Sequence, residues 1–381
     1  MKSIISVFLC VLITAVAVQF LPNQQVVADG VSVSAQAAIL INADTGEAIY
    51  EKNAHLKLSM ASTTKIMTAL LLAEQNTPEK TVVTTKQMVT VEGSSMGLLE
   101  GDTVSYKALL CGMLLSSGND AANTTAIILG GSLPNFAIMM NAKAKEIGMT
   151  DTHFVTPSGL DDADHYSTAF DMALLASYAM KNADFKEVAS SKEMTVYYGN
   201  PPYKRTLGNH NKLLSMYDGA EGVKTGFTKK SGRCLVSSAE RDGKSVIAVT
   251  LNAPDDWDDH IAMFDFGFSQ LVCKDITYKF EDPTLPVVGG KFDRVKLNVS
   301  ECKVGLLNKE CSEITYEIIL PPFLYAPVVV NKEIGSVIYK LNGEQIAESK
   351  IWAVGNVEAK VSEPKSKTDL FFDKLQMLLQ M

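Results

Sequence analysis

The chain has 381 residues, of which 46% are hydrophobic and 20% are charged, and its formal net charge is −8. This length allows two domains, and the composition is that of an ordinary globular protein. The acidic balance argues against a nucleic-acid partner, because nucleic-acid binding requires a basic face.

Residues 1–28 predict a secretory signal peptide. Lys2 gives a positive start, Ile4 to Val18 is almost continuously apolar, and small residues before and at Ala28 provide a cleavage site. The apolar run is short for a membrane span, which needs about 20 residues. We therefore expect an exported protein, with an uncleaved N-terminal anchor as the alternative.

Residues 29–275 predict a single α+β domain with mostly antiparallel pairing, because strands at both ends of the segment enclose a series of helices. The expected elements are a hairpin over 37–51, a helix from Ser62 to about 75, helices over 104–130 interrupted at 116–119, helices over 133–147 and 168–180, strands near Lys224, a hairpin over 233–252 and a closing helix over 261–273.

The C-terminal part changes character. Residues 276–361 contain prolines, glycines and short alternating apolar runs, which predict a small all-β domain. Residues 362–381 follow as a linker and an amphipathic helix, in which 369–381 have a narrow polar face and a wide apolar arc. We expect this helix to lie in the plane of a membrane, with packing on the protein itself as the alternative.

The six cysteines, less Cys10 in the signal, leave five, and an odd number in an exported protein predicts at least one free thiol. Cys111 and Cys234 lie in apolar runs and are expected in the core. Cys302 and Cys311 flank a predicted turn, and only their geometry decides whether they form a disulfide. No cysteine or histidine cluster has metal-ligand spacing, so no metal or other cofactor is expected.

The first candidate for chemistry is Ser62 with Lys65, at the start of an apolar helix. Residues three apart share a helix face, so the lysine amine can reach the serine hydroxyl. Lys65 can act as a base only when it is neutral, and its reference pKa of about 10.4 requires burial or a nearby cation to fall. Lys224 is a suitable cation.

Two further segments carry polar groups that acyl transfer needs. Ser117-Gly118-Asn119 falls at a turn between apolar helices, where Ser117 can relay a proton and Asn119 can hold Lys65 and the substrate backbone. Lys224-Thr225-Gly226-Phe227 is extended and offers a cation and a hydroxyl to a carboxylate, with a glycine that permits close approach. Each segment alone is a weak signal.

The three motifs in this order are the signature of penicillin-binding proteins and serine β-lactamases. Their flanking residues, together with His153 to Leu160 and His165 to Asp171, resemble the low-molecular-mass D-alanyl-D-alanine carboxypeptidases over residues 35–275. The resemblance extends more loosely to the β domain and the amphipathic tail. It implies a penicillin-binding or β-lactamase-like fold.

The resemblance also implies roles for named residues. Ser62 would be acylated and Lys65 would take its proton, while Ser117 and Asn119 would complete the proton network. Lys224 and Thr225 would bind the substrate carboxylate, and the backbone N–H groups of Ser62 and Phe227 would form the oxyanion hole. His153 and His165 are interpreted as structural, because the lysine already supplies the base.

One departure from the family concerns the carboxylate. Some relatives place a basic residue near 251–260, and this chain is strongly acidic there. Binding of the substrate carboxylate would then depend more heavily on Lys224 and Thr225, or on Arg233 as a substitute.

The sequence therefore predicts an enzyme at the outer face of the bacterial cytoplasmic membrane or in the cell wall. It would remove the terminal D-alanine from peptidoglycan stem pentapeptides and be inhibited by β-lactams. The alternatives are a D,D-transpeptidase or endopeptidase, and a penicillin-binding sensor without turnover. A β-lactamase is disfavoured by the β domain, by the tail and by the Ser-Gly-Asn triplet.

Overall fold

A computed structural model describes residues 31–307, 314–360 and 376. These form two compact units that divide between Val272 and Cys273. The expected signal peptide, Cys311 and, apart from Gln376, the amphipathic segment 369–381 lie outside the described residues. Their predictions are therefore not tested by this structure.

The first unit begins with two strands and then alternates short strands with helices. Its elements are β1 (Ala37–Asn42), β2 (Ala48–Lys52), α1 (Lys65–Ala73), β3 (Thr81–Val83), α2 (Lys86–Val89), β4 (Thr103–Ser105), α3 (Tyr106–Leu114), α4 (Asn119–Gly130), α5 (Leu133–Ile147), α6 (Ala169–Met180), α7 (Ala183–Ser190), β5 (Glu193–Gly199), β6 (Pro202–Gly208), α8 (Leu213–Met216), β7 (Ala220–Thr228), β8 (Gly232–Arg241), β9 (Lys244–Leu251), α9 (Asp256–Gln270) and β10 (Leu271–Asp275), the last of which crosses the division.

The main sheet has the order β2-β1-β9-β8-β7, with antiparallel pairing throughout. All six residues of β1 are buried, because α6 and α9 both pack against this sheet. A strand covered on both faces is apolar along its whole length instead of alternating. The sheet therefore lies in the middle of the unit, with β7 at its edge.

Helix α1 is the central helix of the unit. All nine of its residues are buried, and it packs on α3, α4 and α6. A helix that is apolar on every side belongs in a core. The 3₁₀ turn Ala61–Thr64, which carries Ser62, leads directly into it.

Helix ends follow the signals in the sequence. Ser132 caps α5 by accepting from the Asn135 N–H, and Gly148 ends that helix in a left-handed conformation. The Thr168 hydroxyl caps α6 by accepting from the Asp171 N–H. The closing helix, in contrast, runs from Asp256 to Gln270 and not over 261–273, since acidic residues in its first turn favour a helix N-terminus there.

The second unit is built from β strands. They are β11 (Thr284–Val288), β12 (Arg294–Val299), β13 (Lys303–Leu307), β14 (Ile314–Ile319), β15 (Leu324–Tyr325), β16 (Glu333–Leu341) and β17 (Glu344–Ala353). Six of them form a sheet of order β14-β16-β17-β12-β11-β15. Its core includes Val295, Leu297, Val337, Tyr339 and Ile351. The predicted α+β class with a β-rich second part is confirmed.

Two other expectations concern the burial of two cysteines and the length of the helices. Cys111 and Cys234 are fully buried, as predicted. Within the described ranges, no single helix is long and apolar enough to cross a membrane, although the sharply bent pair α4 and α5 passes such a test by length and composition.

Candidate active site

The turn Met60–Thr64, called here the Ser62 turn, is held by its own side chains. The Thr63 hydroxyl donates to the Met60 carbonyl at 2.6 Å, and the Thr64 hydroxyl donates to the Ala61 carbonyl at 2.8 Å. Ala61 has φ +48°, a left-handed conformation that is unfavourable for any residue with a Cβ. The position of Ser62 is therefore fixed by a strained but well-bonded turn.

His165 supports the same turn from behind. Its Nδ1 accepts from the backbone N–H of Val155 at 2.9 Å, so Nε2 carries the proton and donates to the Thr64 hydroxyl at 2.8 Å. Burial lowers the pKa of His165 to about 4. The ring is thus neutral and contacts Thr64 and not Ser62, which agrees with a structural role.

Two glycines bring neighbouring backbone into contact with the Ser62 turn. A Cβ on Gly159, whose φ is +84°, would lie 1.8 Å from the Ala61 carbonyl oxygen. A Cβ on Gly226 in β7 would lie 3.0 Å from the Ser62 backbone nitrogen. Real Cβ atoms essentially never approach as closely as the first distance, so Gly159 is required for this packing. The second distance is a tight contact, so a side chain at Gly226 would force the Ser62 turn to shift slightly.

Lys65 is placed to exchange a proton with Ser62. Its Nζ lies 2.9 Å from the Ser62 Oγ and donates to the Ser158 carbonyl at 2.8 Å. The side chain is fully buried. Burial lowers the pKa of Lys65 well below its usual value, and repulsion from Lys224 lowers it further, while Asp120 opposes both. A neutral amine in this position can accept the serine proton.

Lys224 lies on β7 and is also buried. Burial lowers its pKa to about 7, and its Nζ donates to the Thr225 carbonyl at 2.8 Å. The expected electrostatic pair of lysines is thus present. Lys224 influences Lys65 through space, as the sequence predicts.

Residues 116–118, called here the Ser117 turn, lie directly before the N-terminus of α4. Ser117 has φ +57°, and the Asn119 side-chain amide donates to the Glu92 carbonyl at 2.5 Å. The Asn119 backbone N–H donates to Ser94 at 2.7 Å. Among the hydrogen bonds of the described residues, the partners of the Lys65 amine are Ser62 and Ser158 and not Asn119.

Asp120, the next residue, ties the loop over 92–98 to α4. Its fully buried carboxylate accepts from the backbone N–H groups of Met96, Gly97 and Leu98 and from the Ser95 hydroxyl. These donors, four groups on one carboxylate, hold the loop firmly against the start of α4. The loop contributes Ser94 to the cleft.

The cleft above these residues has a volume of about 350 Å³. It is lined by Ser62, Ser94, Ser117, His210, Lys212, Thr225, Gly226, Phe227, Arg233, Asp256 and Trp257. Five of the eight predicted site residues are therefore at its surface, and Lys65, Asn119 and Lys224 are buried. The structure brings all three motifs together around one cavity.

Sequence reasoning missed several contributors. Ser158 holds Lys65 through a backbone carbonyl, which no side-chain pattern can reveal. His210 and Trp257 line the cleft without any motif spacing to mark them. Asp256 lies in the acidic stretch that seemed unfavourable for an anionic substrate, and the structure pairs it with Arg233 at 2.6 Å.

The fold and this site define a class: serine acyl-transfer enzymes in which a buried lysine lies beside the serine. A family model described as D-alanyl-D-alanine carboxypeptidase matches residues 23–255. The chain is 34% identical over 332 residues to the D-alanyl-D-alanine carboxypeptidase DacF of Bacillus subtilis (strain 168), covering 84% of this chain and 85% of that protein.

Two solved structures are similar as well. The D-alanyl-D-alanine carboxypeptidase DacD from Francisella tularensis matches with a TM-score of 0.61 and 26% identity, over 90% of this chain and 98% of the other. The Streptomyces K15 DD-transpeptidase matches with a TM-score of 0.60 and 33% identity, over 64% of this chain and 100% of the other. The chain belongs to the D-alanyl-D-alanine carboxypeptidase family of serine peptidases.

Proposed function

We propose that this serine-type D-Ala-D-Ala carboxypeptidase works through an acyl-enzyme on Ser62, with Lys65 as the base. The observation that carries this proposal is the 2.9 Å contact between the Lys65 Nζ and the Ser62 Oγ, combined with the lowered pKa of that amine. A neutral amine at hydrogen-bond distance meets both conditions for a general base.

The first half-reaction forms an ester. The Ser62 oxygen attacks the carbonyl carbon between the two terminal D-alanines, and its proton passes to Lys65. Negative charge that develops on the carbonyl oxygen is stabilised by the backbone N–H groups of Ser62 and Phe227. The C–N bond then breaks, and the Lys65 proton passes through Ser117 to the leaving D-alanine nitrogen, which leaves Lys65 neutral.

The second half-reaction releases the shortened peptide. Water attacks the ester carbonyl carbon and gives up a proton to Lys65. The bond from this carbon to the Ser62 oxygen then breaks, and Lys65 returns its proton to that oxygen, which restores the hydroxyl. Asn119 keeps the Ser117 turn attached to the loop over 92–98 through its bonds to Glu92 and Ser94. Thr225 and Gly226 line the cleft, and the leaving D-alanine would lie beside them; Lys224, the preceding residue of β7, is buried.

The substrate class follows from this chemistry. Stem pentapeptides of peptidoglycan end in D-alanyl-D-alanine, and β-lactams would acylate the same serine as mimics of that end. The competing assignment is a D,D-transpeptidase or endopeptidase, in which an amine resolves the same ester or a cross-link is cut. The similarity to the Streptomyces K15 DD-transpeptidase makes this the alternative that the experiment must distinguish.

The test begins with labelled penicillin on the purified protein and location of the adduct by mass spectrometry. An adduct on Ser62 that is lost in Ser62→Ala, and kept in the control Ser59→Ala, supports the nucleophile. D-alanine release from a pentapeptide without an added amine supports hydrolysis. An adduct elsewhere contradicts the mechanism, and an adduct without D-alanine release indicates a sensor or a transpeptidase.

A second part of the proposal concerns location. The signal over residues 1–28 would export the chain, the catalytic region over 29–275 would act outside the cytoplasmic membrane, and residues 369–381 would bind that membrane peripherally. The support is the amphipathic pattern of this segment. Co-sedimentation of the chain with anionic vesicles, lost on truncation after residue 361, would support it; equal sedimentation of both forms would contradict it.

A further inference from the structure

We propose that Arg233, oriented by Asp256, is the residue that selects substrates with a free C-terminal carboxylate. This inference rests on the proposed function, because it assigns the cation that reads the end of the substrate. Arg233 lies on β8 and Asp256 lies at the start of α9, and neither residue belongs to one of the three motifs.

Arg233 lies where it can contact a substrate bound in the cleft. It pairs directly opposite Phe227 across β7 and β8, one position beyond the Gly226–Cys234 pair. It lines the same cavity as Ser62 and Thr225. Its side chain is 41% exposed, so a ligand in the cleft can reach it.

The guanidinium is held in a fixed orientation. Its Nε and Nη2 both donate to the Asp256 Oδ1, at 2.9 and 2.6 Å, and the Asp256 side chain is only 3% exposed. The guanidinium carbon lies 5.5 Å from the centre of the Trp257 ring. These bonds use one edge of the five-donor fork and leave the Nη1 side for another partner. A fixed fork matches the geometry of a carboxylate.

The other cations of the site are less suited to this task. The Lys224 amine is buried and donates to Thr225, and its pKa of about 7 leaves it only partly charged at neutral pH. Lys212 lines the cleft as an exposed, flexible side chain. Arginine stays charged at any pH the enzyme meets. Arg233 is therefore the permanent and oriented positive charge of the cleft.

The acidic stretch around Asp256 is compatible with an anionic substrate. Asp256 is neutralised by Arg233. Asp259 accepts from the backbone N–H and the hydroxyl of Ser34 and does not line the cleft. The acidic segment and the arginine after the third motif thus belong to one arrangement, in which the Asp256 carboxylate orients the Arg233 guanidinium.

The experiment compares two peptides that differ only at the C-terminus, an acyl-L-Lys-D-Ala-D-Ala with a free carboxylate and its C-terminal amide. In the wild type the carboxylate form should be strongly preferred in kcat/KM. Arg233→Gln should lower kcat/KM for the carboxylate form by about ten- to a hundred-fold, the size expected for lost charged hydrogen bonds. The amide should be nearly unaffected.

Three companion variants make the result specific. Arg233→Lys keeps the charge without the fork and should keep part of the preference. Asp256→Ala frees the guanidinium and should also reduce the preference. Arg241→Gln, at the far end of β8, removes an arginine that packs 4.1 Å from the Tyr217 ring, and it should leave the preference unchanged. Thermal melts identify any variant that does not fold.

The proposal is overturned if Arg233→Gln slows both peptides equally or neither. If the wild type releases no D-alanine from either peptide, the proposed function fails while this inference stays testable. The second measurement is then the acylation rate of Ser62 by benzylpenicillin and by its methyl ester. Loss of the difference between them in Arg233→Gln supports the inference, and an unchanged difference rejects it.

Discussion

The Lys65 amine donates to the backbone carbonyl of Ser158 at 2.8 Å, across 93 residues of chain. This bond uses one N–H of the amine and directs the rest of the group towards Ser62. A carbonyl cannot be protonated or moved by a rotamer change, so it positions the amine more firmly than a side chain would. The position of the proposed base is therefore fixed by main-chain geometry.

Replacement of Lys65 by arginine tests the requirement for a neutral base. Arginine keeps the charge and length but does not lose its proton in proteins, so it cannot accept one from Ser62. We expect acylation by penicillin to slow by about 10²–10⁴-fold, the usual contribution of general base catalysis. Stopped-flow or gel-based acylation rates provide the measurement. A rate within threefold of the wild type would contradict the role of Lys65.

The pH profile should report the charge of Asp120. Acylation should rise with pH as Lys65 loses its proton, and Asp120 raises the pKa of that lysine. Asp120→Asn removes the negative charge, so the ascending limb should move to lower pH. Ser95→Ala removes one hydrogen bond to the same carboxylate without a change in charge, and it should leave the limb in place. A limb that moves equally in both variants would contradict this electrostatic origin.

The buried lysines should reduce the stability of the fold at neutral pH. The pKa of Lys224 is about 7 in the folded protein and 10.5 in the reference state, so between these values the unfolded chain binds more protons. Stability therefore rises with pH across this window. Lys224→Met should raise the melting temperature at pH 7 by at least about 2–4 °C, the shift that 1 kcal/mol gives in a domain of this size.

The same variant should flatten the pH dependence. Melting temperatures of the wild type between pH 7 and 10 should increase more steeply than those of Lys224→Met. Activity should fall in the variant while stability rises. A lower melting temperature for Lys224→Met at pH 7 would show that the lysine contributes favourable contacts that exceed the cost of its burial.

Gly159 and Gly46 form a matched pair for the packing of the Ser62 turn. Both have positive φ, but a Cβ on Gly46 meets nothing within 4 Å, while one on Gly159 would lie 1.8 Å from the Ala61 carbonyl. Alanine at Gly46 should cost about 1–2 kcal/mol for the left-handed backbone alone. Alanine at Gly159 should cost a further 1–3 kcal/mol or so from overpacking and should slow acylation, as urea melts and penicillin labelling would show.

The sequence predicted much of this molecule because its signals are local. The helix over 133–147 has a serine before it and a glycine after it, and the structure has those bounds. The three motifs could be assigned to one cavity because their spacing resembles a known family. Helix α7 and the β5–β6 hairpin were not predicted, since their patterns are short and their packing partners are distant in the chain.

The unpredicted parts of the site arise from tertiary contacts. The Ser158 carbonyl lies 93 residues from Lys65, His165 bonds to Thr64 across 101 residues, and Asp256 pairs with Arg233 across 23 residues. Neither the amino-acid composition nor the spacing of motifs indicates which backbone carbonyl will accept a hydrogen bond from a given side-chain amine. Only the acidic stretch gave a visible signal, and its meaning changed once its partner was located.

The left-handed backbone of Ala61 has a consequence for engineering. Glycine adopts φ +48° without the penalty of about 1–2 kcal/mol that alanine bears, so a search for heat-tolerant variants would favour Ala61→Gly. That change would also give the residue before Ser62 new freedom, because glycine has many more accessible conformations. We therefore expect Ala61→Gly to raise thermal stability and to position the Ser62 hydroxyl less firmly for turnover.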